Sequence, residues 1–244
     1  MRHLCALLLS ATLLGGCASA PQDPSGIWIN QAAIDDAAEG GPLREALLAY
    51  GPNLEWQIDT QRQVAIASNG FELDEGQLHG DPASGWQVDF YGDFHERLNL
   101  EDDQLVQVQS ASSPQQRFVR ATRVVAPNAP QGSSFEHSLY AAYLGGTWTI
   151  TEGSGRDGLV RFHPDGQVEG LPGADRYALC LAGDCAAMSG AHDGIWLQLG
   201  EQGRSWLFER EGADLRVFEA LNQAAANEMP DYRPGQLVWR LHRN

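Results

Sequence analysis

The sequence predicts an all-β chain built as two tandem small antiparallel barrels with short helical excursions, and three observations carry that prediction. Gly26-Ile27-Trp28-Ile29 recurs 120 residues later as Gly146-Thr147-Trp148-Thr149-Ile150. In each half the last apolar strand carries an Arg, in Phe118-Val119-Arg120 and Val238-Trp239-Arg240, 92 residues beyond the Trp in both copies. Between these ends run short apolar segments separated by turn signals, the pattern of hairpin-connected strands. The middles of the halves agree in spacing, since Trp86 to Leu105 and Trp196 to Leu215 are both 19-residue intervals, although hydrophobic phase along them matches only loosely.

In chain order, Met1-Arg2-His3 gives a basic start, Leu4-Cys5-Ala6-Leu7-Leu8-Leu9 an apolar run, and Leu14-Gly15-Gly16-Cys17 a small-residue stop. The apolar run of about a dozen residues is too short for the ~20 that a spanning helix needs, so it reads as a removed targeting segment. These residues resemble a bacterial lipoprotein signal. The resemblance implies a signal peptide over residues 1–16 and acylation of Cys17. Because Ala18 rather than Asp follows, it also implies retention at the outer membrane, on its periplasmic face. Residues 17–25 are then a lipid tether reaching at most about 27 Å.

The first barrel-like domain is expected over residues 26–124. Asn69-Gly70 and Asp102-Asp103 sit where hairpins need turns, the latter between Arg97–Leu100 and Leu105–Val108. Residues 31–50 break the strand pattern: Asn30 can cap a helix over Ala32–Ala38, Gly40-Gly41 ends it, and a second helix begins at Pro42 and stops at Gly51. Residues 125–137 form a Pro/Gly/Ser-rich linker, near whose end Ser134 can cap a short helix through Leu139–Tyr143. The second barrel-like domain, residues 138–244, has hairpin signals at Asp165-Gly166 and Gly212-Ala213 and a second excursion from Glu219 to Gly235, helix-prone over Leu221–Glu228. Such excursions lie over barrel mouths as lids or plugs, and plugs are expected because small barrels fill themselves with their own side chains. Each half is expected to carry its own core.

The Gly-x-Trp on each first strand, with a basic residue supplied by the last strand, resembles the closure signature of lipocalin-like (calycin) barrels. That resemblance implies barrel-closing pairs Trp28 with Arg120 and Trp148 with Arg240. A guanidinium on an indole face contributes about 0.5–2 kcal/mol at such a seam. A second resemblance covers Phe162-His163-Pro164-Asp165-Gly166-Gln167-Val168-Glu169-Gly170 and its continuation to Arg176-Tyr177, which is similar to the core of META domains, small barrels of bacterial envelope proteins. Ala174-Asp175 stand where that family has Cys-Asn.

Composition narrows the partners. Residues 1–16 hold one Arg and no acid, so the remainder carries 15 basic and 32 acidic side chains, a net charge of −17. Nucleic acid and anionic lipid surfaces are poor partners for such a body. No Lys is present, which removes Walker A, Ser-x-x-Lys and Schiff-base chemistry. With Cys5 in the signal and Cys17 acylated, Cys180 and Cys185 remain, and an oxidising periplasm favours a disulfide between them. The rival reading is a soft-metal site including Met188 and His192.

Catalytic patterns are weak. Gly153-Ser154-Gly155 is not a nucleophile elbow, the seven His are dispersed, and neither Asp35-Asp36 nor Glu101-Asp102-Asp103 has the alternating oxygens of a calcium loop. The expectation is a non-enzymatic lipoprotein without cofactor or metal, attached to the outer membrane and binding an envelope protein or a small apolar ligand. Its alternative is an inhibitor or immunity-type protein that captures a basic cell-wall hydrolase. An enzyme with a site assembled from loops is the third class.

Overall fold

The computed structural model describes residues 23–122, 125 and 129–244. Cys17, the signal segment, most of the tether and the middle of the linker lie outside the described residues.

The first eight strands are β1 (Gly26–Ile29), β2 (Glu55–Asp59), β3 (Val64–Ser68), β4 (Leu73–Asp81), β5 (Gly85–Asp89), β6 (His95–Glu101), β7 (Gln104–Gln107) and β8 (Gln116–Arg120). They pair in sequence order, antiparallel throughout, and β8 returns to β1 to close the barrel. The turn chemistry is legible. Asp102 and Asp103 adopt φ of 47° and 63°, the positive values that a two-residue type I′ hairpin demands, and they join β6 to β7. At the other predicted turn, the Asn69 carboxamide accepts from the amides of Phe71 and Glu72. Alternate residues face inward, so Trp28, Trp56 and Trp86 fill this barrel together with Leu98, Leu105 and Phe118.

Eight further strands follow: β9 (Gly146–Gly153), β10 (Leu159–Phe162), β11 (Val168–Glu169), β12 (Arg176–Leu179), β13 (Asp193–Leu199), β14 (Gln202–Glu211), β15 (Asp214–Asn222) and β16 (Tyr232–Arg243). Their order runs β11-β10-β9-β16-β15-β14-β13-β12, so the first strand again meets the last. The two ends of this sheet meet at the stretch resembling the META core. There Tyr177 N donates to Gly166 O at 2.8 Å and Val168 N to Asp175 O at 3.0 Å.

Between the barrels lie three helices. Asn30 caps α1 (Gln31–Ala38) by accepting from Ala33 N, and Pro42 precedes α2 (Leu43–Leu48). The linker helix α3 (Ser133–Tyr143) starts earlier than the sequence suggests, and Ser134 is not its cap. Its buried N-terminus is satisfied from the first barrel instead, because the Glu55 carboxylate accepts from Gly132 N at 3.1 Å and Phe135 N at 2.7 Å.

Two expectations are corrected here. Leu221–Glu228 is not helical: β15 runs on to Asn222, whose side chain accepts from Ala224 N and Asp231 N and closes the loop into β16. That segment has no apolar stripe for a helix to bury, whereas pairing of Leu221 with Arg233 extends the hairpin. The cores are not divided half by half either. The first barrel's interior is self-contained, but the second barrel's core runs without a break through Leu139 and Tyr143 of α3 to Ile34, Leu43, Leu47 and Leu54 of the first half.

Candidate functional site: an open mouth at the far end of the second barrel

The two ends of the second barrel differ. Its near end, toward the helices, is sealed. The Trp148 indole donates to Leu144 O at 2.8 Å, and Arg243, its cross-strand partner, lies 4.8 Å from the ring centroid and donates to Tyr143 O. Buried Arg210 stands 4.5 Å over the Tyr143 ring and donates to the same carbonyl. Loss of hydration brings its pKa down to about 10, with the Arg243 charge adding to the effect. Two cations thus meet one carbonyl, that of Tyr143, at the C-terminus of α3, where the helix dipole favours them. Around them, Asp193 on β13 accepts from Leu43 N and Arg44 N at 2.6 and 3.1 Å, and Arg44 donates to Ala186 O and Gly190 O. This bolts α2 of the first half onto the second barrel.

The far end is open. The β9–β10 turn at Ser154, the β11–β12 loop at Pro172 and Gly173, and the β13–β14 hairpin from Leu199 to Gly203 surround a cavity of about 620 Å³. Leu197, Trp206 and Trp239 form its inner wall. The two indoles, on β14 and β16, have ring centroids 5.0 Å apart at 51°. Arg204 sits one inward position nearer the rim, its guanidinium 3.9 Å over the Trp206 ring. Leu199 is 55% exposed at the lip. The volume falls within the range of small-molecule sites, as does the mixture of aromatic and aliphatic wall with few polar groups. Three indoles are buried in each barrel, Trp28, Trp56 and Trp86 in the first and Trp148, Trp206 and Trp239 in the second.

A smaller groove of about 240 Å³ lies on the outer face of the second barrel, lined by the disulfide, Met188, Trp196 and Tyr232. Cys180 and Cys185 are joined with Sγ–Sγ of 2.13 Å, and Cys185 lies in the short helix α4 (Gly183–Ser189) that covers part of this face. Sulfurs joined in this way are not thiolate ligands.

The closure residues are placed as follows. Arg120 lies 4.2 Å from the Trp28 ring centroid, opposite it in register, and donates to the carbonyls of Ser25 and Asp23. Arg240 does not perform that role for Trp148. It pairs with Glu152 on the outer face, and the stacking falls to Arg243. In the register of β16 on β9, Arg240 faces Glu152 and Arg243 faces Trp148, so the equal spacing read from the sequence ends three residues short of the functional equivalent. The 120-residue repeat is otherwise kept in detail. Trp28 donates to Pro24 O as Trp148 does to Leu144 O, and Arg120 donates to Asp23 O as Arg243 does to Tyr143 O. Gly26 and Gly146 both take positive φ, 133° and 114°.

The sequence reading missed Arg204, Leu197, Leu199, Trp206 and Trp239 as a site. The available signal was that β13, β14 and β16 bring bulky residues to one end of the second half while its hairpin loops there are rich in Gly. Comparison with family models, curated proteins and solved structures finds no match to this chain.

Proposed function

We propose that this chain is a non-enzymatic binding module, held at the periplasmic face of the outer membrane by lipid on Cys17, whose second barrel takes a small apolar ligand through its open mouth. The observation that carries the reading is the cavity of about 620 Å³ at the far end of the second barrel, walled by Leu197, Trp206 and Trp239. The first barrel and helices then serve as a rigid base that seals the opposite end. Kinship with lipocalin-like and META-like barrels belongs to this proposal and is supported by the closure pairs and the hairpin at the sheet ends.

Outward acids interleave with basic groups in cross-strand pairs, Arg117 with Glu101, Arg216 with Glu209 and Arg240 with Glu152. This distribution supports a solubility role for the net charge over capture of a basic hydrolase. The test is titration with the neutral fluorophore N-phenyl-1-naphthylamine. Saturable enhancement at one site, abolished by Leu199→Glu at the exposed lip, is the expected result; no enhancement, or enhancement indifferent to Leu199→Glu, removes the reading. Cys17→Ala tests the anchor by fractionation, with release from membranes expected.

A further inference from the structure

The mouth of the second barrel differs electrostatically from the chain that carries it. The sequence holds 32 acidic and 16 basic side chains, yet no residue lining the mouth is acidic and one, Arg204, is basic. Glu219 stands opposite Trp206 in register on β15, and Glu201 lies in the β13–β14 turn between Leu199 and Gln202, but neither lines the cavity. Arg204 is pinned by its stacking on Trp206, remains solvent-exposed at the rim, and has no carboxylate partner among the described residues. A guanidinium held over an indole has lost rotamer freedom before any ligand arrives, and its planar fork matches one carboxylate.

We infer that the ligand of this mouth is an apolar acid, a single carboxylate on an aliphatic or ring body. The inference rests on the reading of the mouth as a binding site. The carboxylate pairs with Arg204 at the rim, and the body lies against Leu197, Trp206 and Trp239. A cationic amphiphile would meet the guanidinium at close range, and a neutral one gains nothing from it. The net negative charge of the body opposes an incoming anion, but salt screens that repulsion beyond about 8 Å at physiological ionic strength, so the contact pair decides.

The test displaces N-phenyl-1-naphthylamine from the full chain with decanoate, decanol and decylamine in parallel. Decanoate is expected to displace at a concentration about tenfold below that of decylamine, the size of one charge-assisted hydrogen bond. Arg204→Gln, a change at an exposed side chain, removes the preference for decanoate over decylamine, while Arg204→Lys restores part of it. Equal displacement by the three compounds, or a preference that survives Arg204→Gln, overturns the assignment of an acid while the cavity reading stands. If the fluorophore itself does not bind, both fall.

Discussion

Arg243 lies over the Trp148 indole with its guanidinium carbon 4.8 Å from the ring centroid, in direct register across the seam where the last strand of the chain meets the first strand of its own barrel. The same side chain reaches Tyr143 O, so it ties the seam to the end of α3. Arg243→Ala should therefore cost about 1–3 kcal/mol through lost stacking, packing and a charge-assisted hydrogen bond. Arg240→Ala, which removes only an exposed pair with Glu152, should cost under about 1 kcal/mol. Denaturant unfolding of the two variants separates the roles, and an equal or reversed order would return the closing role to Arg240.

Asp193 is the main polar bolt between the halves. Its carboxylate satisfies two backbone amides of α2 even though burial, opposed by those bonds, raises its pKa. Asp193→Ala leaves both amides without their acceptor and should cost about 2–3 kcal/mol. The shared core extends the argument to larger pieces. A fragment from residue 129 onward lacks Ile34, Leu43, Leu47 and Leu54 and should not fold alone, whereas the full chain should lose β9–β16 and α1–α3 in one transition. Circular dichroism of the isolated fragment checks this.

Glu136, on the first turn of α3, faces the Glu55 carboxylate and a cleft that also holds His137, Tyr140 and Asp165. Burial, with the Glu55 charge second, pushes its pKa up from 4.5 to about 6. The folded state thus favours the protonated form. The stability this contributes is complete below about pH 4.5 and is lost as pH rises through about 6. Glu136→Gln should accordingly stabilise the protein by about 1 kcal/mol at pH 7.5 and by nothing at pH 4, the gain being reduced by the lost charge at a helix N-terminus. Melting temperatures at the two pH values report it.

The disulfide closes a loop of only a few residues, with Cys180 and Cys185 five positions apart. Constraint of so short a loop contributes about 2 kcal/mol, so the double Ser variant should remain folded and lose about 1–3 kcal/mol. Thiol labelling of the native protein is expected to find neither cysteine reactive.

The legible part of the fold was what local chemistry fixes. Positive-φ glycines two residues before Trp28 and Trp148, paired Asp residues in a two-residue turn, and Asn30 ahead of α1 all announce themselves by residue type. What long-range pairing fixes was not legible. The register of β16 on β9 places the closing Arg at position 243 rather than 240, and the N-terminus of α3 found its acceptor in Glu55, which no local pattern connects to it. The mouth was hidden for a related reason, because Trp206 and Trp239 obey the same inward alternation as the indoles that fill the first barrel. Trp196 shows the limit of the repeat: it shares its spacing with buried Trp86 yet lies on the outer face, packed over Gly203.

The central claim, that ligand enters the far end of the second barrel, is tested most directly by photolabelling with a neutral alkyl-diazirine alcohol and mapping the modified residues. Saturable labelling centred on Leu197, Trp206 and Trp239, and suppressed by Leu199→Glu, is the predicted result. Labelling confined to the first barrel, or to the outer groove beside Met188 and Trp196, would contradict it.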